Sequence, residues 1–308
     1  MVFKPLKLLP NVLGRKINNF FMQRQLESVL RQAGWSVFDL WINDQKARNY
    51  LPRGTVRKSV YDVTDDWTQF DQPPRVKQAV IADDAYLLDT VDETIVCSEW
   101  LYRKNAIGNR KVHLIANGVD ANRYSPDALS PLRKPEEFKN LSKIAGYVGT
   151  LHSERLDLDL IEEIARIAPD VNFAFIGPNC LTDEQTEKLK RHKNIILSGP
   201  IDYKLLPSYM KCIDVFMTPH KVSPFTESLD PLKLYEYMST GKPIVSTPCS
   251  GFRDLPELVF VEADAAQFAH AICTAIESED TKGEQRIKWA ANQTWQNRVD
   301  DVVSVLSW

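Results

Sequence analysis

Along this chain apolar residues fall into short runs, separated by stretches in which they recur every three or four positions. That alternation predicts buried strands of a parallel sheet joined by amphipathic helices. The clearest unit covers 214–251, DVFMTPHKVSPFTESLDPLKLYEYMSTGKPIVSTPCSG. Val215-Phe216-Met217 reads as one buried strand and Ile244-Val245-Ser246-Thr247 as the next. Between them the pattern predicts a helix over 231–240, with Asp230 as its cap and Pro231 in its first position. Gly241 is placed to end it and Pro243 to stop it. Leu234, Tyr235 and Met238 share one side of that helix, as a core requires, while Lys233, Glu236 and Thr240 share another. Strand, helix and strand then form a right-handed crossover.

The same reading places earlier strands at 35–42, 58–63 and 94–97, and a fourth in KVHLIANGVD, 111–120. Helices are expected over 74–90 and from Glu99 behind a Ser98 cap. A helix over 18–33 would pack Phe20, Phe21, Leu26, Val29 and Leu30 into the first domain. Proline and charge crowd 125–141, which reads as a linker. Beyond it strands are expected at 143–149, 173–176, 195–199 and 258–261. Helices are expected at 157–167, 206–212, 265–277 and 285–306, the last anchored by Trp289, Trp295 and Trp308. The domains predicted are 1–140 and 141–308, the final helix crossing back to the first.

Composition narrows the class. A chain of 308 residues has length for two cores, and 44% hydrophobic with 26% charged residues is ordinary for a soluble globular protein. A net charge of −3 gives no general affinity for nucleic acid. The five cysteines are scattered, with no CxxC, and no apolar run approaches the roughly 18 residues of a membrane span. With no signal-peptide pattern, these features point to the cytoplasm. One region departs from the average: the first 34 residues carry six bases, Lys4, Lys7, Arg15, Lys16, Arg24 and Arg31, against Glu27 alone. Such a basic amphipathic stretch reads either as an ordinary domain helix or as a peripheral contact with the inner face of an anionic membrane.

Candidate chemistry gathers on the central unit. Lys233 falls in the first turn of its helix, where unpaired backbone N–H groups and the helix dipole attract an anion. Glu236, one turn on, can accept hydrogen bonds from a hydroxylated group such as ribose. The plainer reading is a solvated lysine–glutamate pair. Gly149 would let backbone N–H groups approach a diphosphate, and Arg155 is the cation that follows it. Asp65 and Asp66 follow the strand at 58–63, at the carboxyl end where ligands of such sheets collect; two aspartates also serve as a turn or cap. His220 reads as a polar loop residue, and no histidine or Asp-x-Asp spacing suggests a metal site.

PLKLYEYMSTGKPIVST resembles the donor-site segment of retaining glycosyltransferases with the B-type fold, in a branch similar to teichuronic acid and other bacterial cell-surface polysaccharide enzymes. ANGVD resembles the segment that closes the first domain of that family, and YDVTDDW one that borders its cleft; the likeness spans roughly 59–308. It implies an α/β fold of two Rossmann-like domains facing across a cleft, the first one shortened, since only four strands are expected before Asn117. It implies transfer of a sugar from a nucleoside diphosphate sugar to a glycan or lipid-linked glycan acceptor, with retention and without metal or further cofactor. The catalytic residues implied are Lys233, Asp65 and Glu227. Those implied for the nucleotide sugar are Gly149, Thr150, Arg155, Gly177, Ile201, Tyr203, Ser228, Lys233 and Glu236. The chain departs from the pattern at Ser228, where the group often carries a second glutamate, and at Thr150, where many members carry arginine. A non-catalytic nucleotide-sugar-binding subunit and an epimerase or phosphorylase of the same fold remain alternatives.

Overall fold

A computed structural model describes Leu6, residues 11–108 and residues 110–306. Lys4, Lys7 and Trp308, singled out above, lie outside the described residues. The chain divides into two compact units, Met1–Ile115 and Ala116–Trp308.

The first unit runs α1 (Asn11–Gln32), β1 (Val37–Ile42), β2 (Thr55–Val63), α2 (Pro74–Thr90), β3 (Glu93–Val96), α3 (Glu99–Asn105) and β4 (Val112–Leu114). Its four strands form one parallel sheet in the order β1-β2-β3-β4. Tyr61, Val63, Leu87, Val96 and Leu101 make its core. Ser98 caps α3 by accepting the Leu101 N–H at 3.2 Å, as expected. The reading of α1 needs correction. Phe20 and Phe21 are 53% and 40% exposed, whereas Asn18 and Met22 are buried. Those two lie one turn apart and share the face that packs on the turn at 45–50, which leaves the phenylalanines rotated outward.

The second unit opens with two helical turns, α4 (Ala121–Tyr124) and α5 (Pro126–Leu129). There follow β5 (Ile144–Val148), α6 (Leu158–Ile167), β6 (Asn172–Ile176), α7 (Asp183–Lys190), β7 (Ile195–Gly199), α8 (Leu206–Met210), β8 (Val215–Thr218) and α9 (Pro224–Glu227). The chain then continues through α10 (Leu232–Thr240), β9 (Ile244–Ser246), β10 (Phe260–Val261), α11 (Ala265–Glu277), α12 (Gly283–Ala291) and α13 (Trp295–Leu306). All six strands are parallel, in the order β10-β9-β8-β5-β6-β7. The order reverses between β5 and β8, and the carboxyl ends of strands at such a switch point frame a crevice.

Three expectations change here. Residues 116–140, assigned above to the first domain and its linker, belong to the second unit, because Tyr124, Leu129 and Phe138 are buried in it. The single helix expected over 285–306 is two helices, α12 and α13, parted at residues 292–294. Trp289 packs its ring 5.3 Å from that of Tyr235, but Trp295 is half exposed. Helix α10 keeps its predicted end, Gly241 being left-handed at φ 74°, but its cap residue is Pro231, which offers no side-chain cap. Asp230 is otherwise engaged, as the site makes plain. Among the described residues no helix is long and apolar enough to cross a membrane.

Candidate functional site

In the second unit three neighbouring strands end in glycine. Gly149, Gly177 and Gly199 follow or close β5, β6 and β7 with φ of 144°, 143° and 73°, a region L side chains rarely adopt. The first two press together. A Cβ on Gly177 would stand 2.3 Å from the Gly149 carbonyl oxygen. The Gly149 N–H donates to Ile176 O at 2.9 Å and the Gly177 N–H to Gly199 O at 3.0 Å. Beside this turn stands Lys233, whose Nζ would lie 3.4 Å from a Cβ on Gly149 and sits 5.2 Å from the Tyr147 ring centroid.

Helix α10 is tied to the turn from below. Tyr237 stacks on Phe216 with centroids 4.1 Å apart, and its hydroxyl accepts the Val148 N–H at 2.8 Å. Leu234, Tyr235 and Met238 are buried as predicted. At the start of the helix, Asp230 accepts the Asn117 N–H at 2.6 Å and the Tyr235 hydroxyl at 2.8 Å. The Asn117 side chain donates to Asp230 O at 2.7 Å. The Asn-Gly turn is thus a latch on α10, and burial raises the Asp230 pKa. Gly118 leaves no room for a side chain, since its Cβ would meet Trp295 N at 2.8 Å.

One helical turn beyond Lys233, Glu236 is largely enclosed. The Tyr124 hydroxyl donates to its Oε1 at 3.1 Å and lies 3.3 Å from the Tyr203 hydroxyl. Burial raises the Glu236 pKa, while the Tyr124 bond and the charges of Lys233 and Arg123 act against it. Arg123 lies on the Tyr203 ring, 4.1 Å from its centroid, and donates to Tyr203 O at 2.6 Å. Tyr203 is 59% exposed, and Ile201 packs on the core beneath it.

The remaining candidates of this unit sit around the same strand ends. Thr150 is exposed, with its carbonyl 3.4 Å from the Tyr147 hydroxyl. The Arg155 guanidinium lies 5.4 Å from the Phe225 ring centroid. Glu227 closes α9, with Oε2 2.6 Å from Arg253 Nη2 and Oε1 buried without a hydrogen-bond partner among the described residues. Ser228 is fully buried and donates to Phe225 O at 2.7 Å, so its hydroxyl caps that turn. Asp65 belongs to the first unit, two residues past β2, half buried and 3.4 Å from the Thr64 hydroxyl. Its neighbour Asp66 is buried, with both oxygens 2.7 Å from Lys104 Nζ.

His220, read above as a polar loop residue, is buried at 2% exposure. Its Nε2 lies 3.3 Å from the Tyr147 hydroxyl. Burial first, then the charges of Lys233 and Arg155, push its pKa well below the ordinary value. Tyr147, His220, Tyr124, Arg123 and Asn117 therefore surround the predicted residues. Asn117 was marked by the ANGVD segment, and the other four had place as their signal: strand ends at the switch point, and the segment before the unit's first strand.

Comparison with known proteins bears on the fold and the family. Residues 142–278 match the family model described as Glycosyl transferases group 1. The chain is 30% identical over 220 residues, 68% of its length, to the protein described as a teichuronic acid biosynthesis glycosyltransferase, TuaH, of Bacillus subtilis (strain 168). It spans about half, 55%, of that relative's length. HepE of Anabaena, solved in complex with UDP-glucose, superimposes with a TM-score of 0.71 at 20% identity, over 97% of this chain and 84% of that one. Sucrose-phosphate synthase from Thermosynechococcus elongatus gives 0.69 at 17% identity, over 99% and 81%. A TarM mutant of S. aureus, solved with fondaparinux, alpha-GlcNAc-glycerol and UDP, gives 0.66 at 13%, over 94% and 58%. The two parallel sheets thus follow the glycosyltransferase B-type fold, and residues 142–278 are similar to the glycosyl transferases group 1 family.

Proposed function

We propose that this chain transfers a sugar from a uridine diphosphate sugar to a glycan or lipid-linked glycan acceptor, with retention at the anomeric carbon, in building a cell-surface polysaccharide. The observation that carries this reading is the Lys233 amine beside the Gly149 turn, with Glu236 one helical turn further on. As the bond to the anomeric carbon breaks, negative charge grows on the departing diphosphate. A lysine already standing there stabilises it without reorganising. Arg155 adds positive charge to the same surroundings, as its effect on His220 indicates. Tyr124 occupies one oxygen of Glu236 and leaves the other to accept ribose hydroxyls. The Tyr203 ring, backed by Arg123, offers a flat surface to the base. In this reading Oε1 of Glu227, buried without a hydrogen-bond partner among the described residues, accepts a hydroxyl of the donor sugar.

The described function of the Bacillus relative and the UDP-glucose and UDP bound to the two structural neighbours support this donor class. We place the reaction in the cytoplasm, with the basic residues of the first 34 meeting the membrane's inner face. A non-catalytic nucleotide-sugar subunit is favoured by one observation, the buried Ser228 where a second acid often stands. Incubation with UDP-glucose or UDP-N-acetylglucosamine and glycan acceptors separates the two. Acceptor-dependent release of UDP that is lost in Lys233→Met supports transfer, whereas binding without release supports the subunit.

A further inference from the structure

Three basic side chains stand around the strand ends of the second unit, and each rests on an aromatic ring. The Lys233 amine lies 5.2 Å from the Tyr147 ring centroid, the Arg155 guanidinium 5.4 Å from that of Phe225 and the Arg123 guanidinium 4.1 Å from that of Tyr203. A carboxylate and an aromatic ring hold a cation with different consequences. The acid neutralises it and occupies its N–H groups. The ring attracts it through its quadrupole and leaves the charge and the N–H donors to a third group. Among the described residues no carboxylate forms an ion pair with Lys233, and the face of Tyr147 is what holds its amine.

Tyr147 is itself fixed. It is the fourth residue of β5, two positions before Gly149, and is 1% exposed. Phe175, its partner on β6, packs with centroids 6.0 Å apart, and His220 meets the ring edge-on at 5.7 Å. The hydroxyl donates to Thr150 O at 3.4 Å and lies 3.3 Å from His220 Nε2. A carbonyl only accepts, so both contacts are made together when the neutral imidazole carries its proton on Nε2. A second proton on that imidazole would set another positive charge against the ring that Lys233 faces. Burial first, then the charges of Lys233 and Arg155, keep it off.

A lysine amine rides on a flexible four-carbon stem, which loses its rotamer freedom when the amine binds an anion. A ring that already confines the amine beside Gly149 takes that loss before the ligand arrives. We propose that Tyr147 is a positioning residue: its ring, seated between Phe175 and His220, holds the Lys233 amine where the diphosphate of the donor binds. This role rests on the nucleotide-sugar reading and adds to it a buried strand residue that acts through another side chain.

The test is calorimetric titration of UDP into the full chain and its variants. Tyr147→Leu should weaken UDP binding by about fivefold, and Tyr147→Phe, which returns the ring, should recover most of that loss. In the Lys233→Met background Tyr147→Leu should cost less than about twofold, because no amine is left to position. An equal loss in both backgrounds, or no loss in the parent background, overturns the role. Where Tyr147→Leu does not fold, phenylalanine and its ring-fluorinated analogues are placed at 147, which keep the size of the ring and drain its negative face. UDP affinity should then fall with each added fluorine, and a flat series overturns the role. Either negative result with UDP bound by the parent leaves the nucleotide-sugar reading standing, whereas no UDP binding by the parent defeats that reading and this role with it.

Discussion

Replacing Tyr237 by phenylalanine removes one oxygen from the join between α10 and the glycine turn. The ladder between β5 and β8 ends at Gly146 and Phe216, so the Val148 N–H lies beyond it. It is satisfied by the Tyr237 hydroxyl at 2.8 Å. Burial pushes that hydroxyl's pKa well above its ordinary value, so it stays protonated at any working pH. In Tyr237→Phe the stacking on Phe216 survives, and the loss is that of a buried donor left without a partner together with the longer bond the hydroxyl donates to Val148 O at 3.4 Å. Such a loss costs about 1–3 kcal/mol. For a domain of this size each kcal/mol lowers the melting temperature by about 2–4 °C, which gives about 2–12 °C in all. Urea and thermal unfolding followed by circular dichroism measure it. Since Val148 precedes Gly149, UDP affinity should fall in the same variant. A folded variant whose stability lies within about 0.5 kcal/mol of the parent's, inside the scatter of surface substitutions, would refute the claim that this hydroxyl anchors the turn.

Other predictions follow from neighbouring contacts. Glu236→Gln should narrow the preference for UDP over its 2′,3′-dideoxy analogue, worth about tenfold in the parent if a charged hydrogen bond of about 1.5 kcal/mol is made; a parent with no preference would contradict the ribose role. Gly177→Ala should destabilise by about 2 kcal/mol or more, because its Cβ meets the Gly149 carbonyl and the backbone is left strained; calorimetry checks it, and a neutral result would mean the strand ends separate freely. His220 stays neutral in the folded protein, whereas the unfolded chain takes up a proton near its ordinary pKa of 6.5. Its contribution to stability is therefore full above that pH and lost as pH falls towards the depressed folded value, at up to about 1.4 kcal/mol per pH unit. His220→Gln should remove that slope between about pH 6.5 and 5.5, and identical slopes in urea unfolding would show that His220 is not buried neutral.

What the sequence disclosed depended on how each signal is carried. The 214–251 unit was legible because an apolar run, a helical period and the Gly241-Pro243 stop fall in order. Helix α11 was legible by its period alone. Helix α7, DEQTEKLK, buries only Leu189, and a helix polar on nearly every side leaves no periodic trace. The 116–140 segment hid three aperiodic anchors, Tyr124, Leu129 and Phe138, under a composition that reads as linker. The break between α12 and α13 contains neither glycine nor proline. At the site, the Lys233–Glu236 spacing and Gly149 could be found locally. The Tyr124–Glu236 and Asn117–Asp230 bonds join residues more than a hundred positions apart, and only the topology brings them together.

The most direct test of the account is calorimetric titration of UDP into the parent chain and into Lys233→Met. The substitution removes the amine beside Gly149 while keeping an unbranched side chain over the Tyr147 ring. A hydrogen bond to a charged group contributes about 1.5–3 kcal/mol, so the account predicts UDP binding by the parent and an affinity lower by about ten- to a hundredfold in the variant. Equal affinities in two folded proteins, or no binding of UDP by the parent, would contradict it.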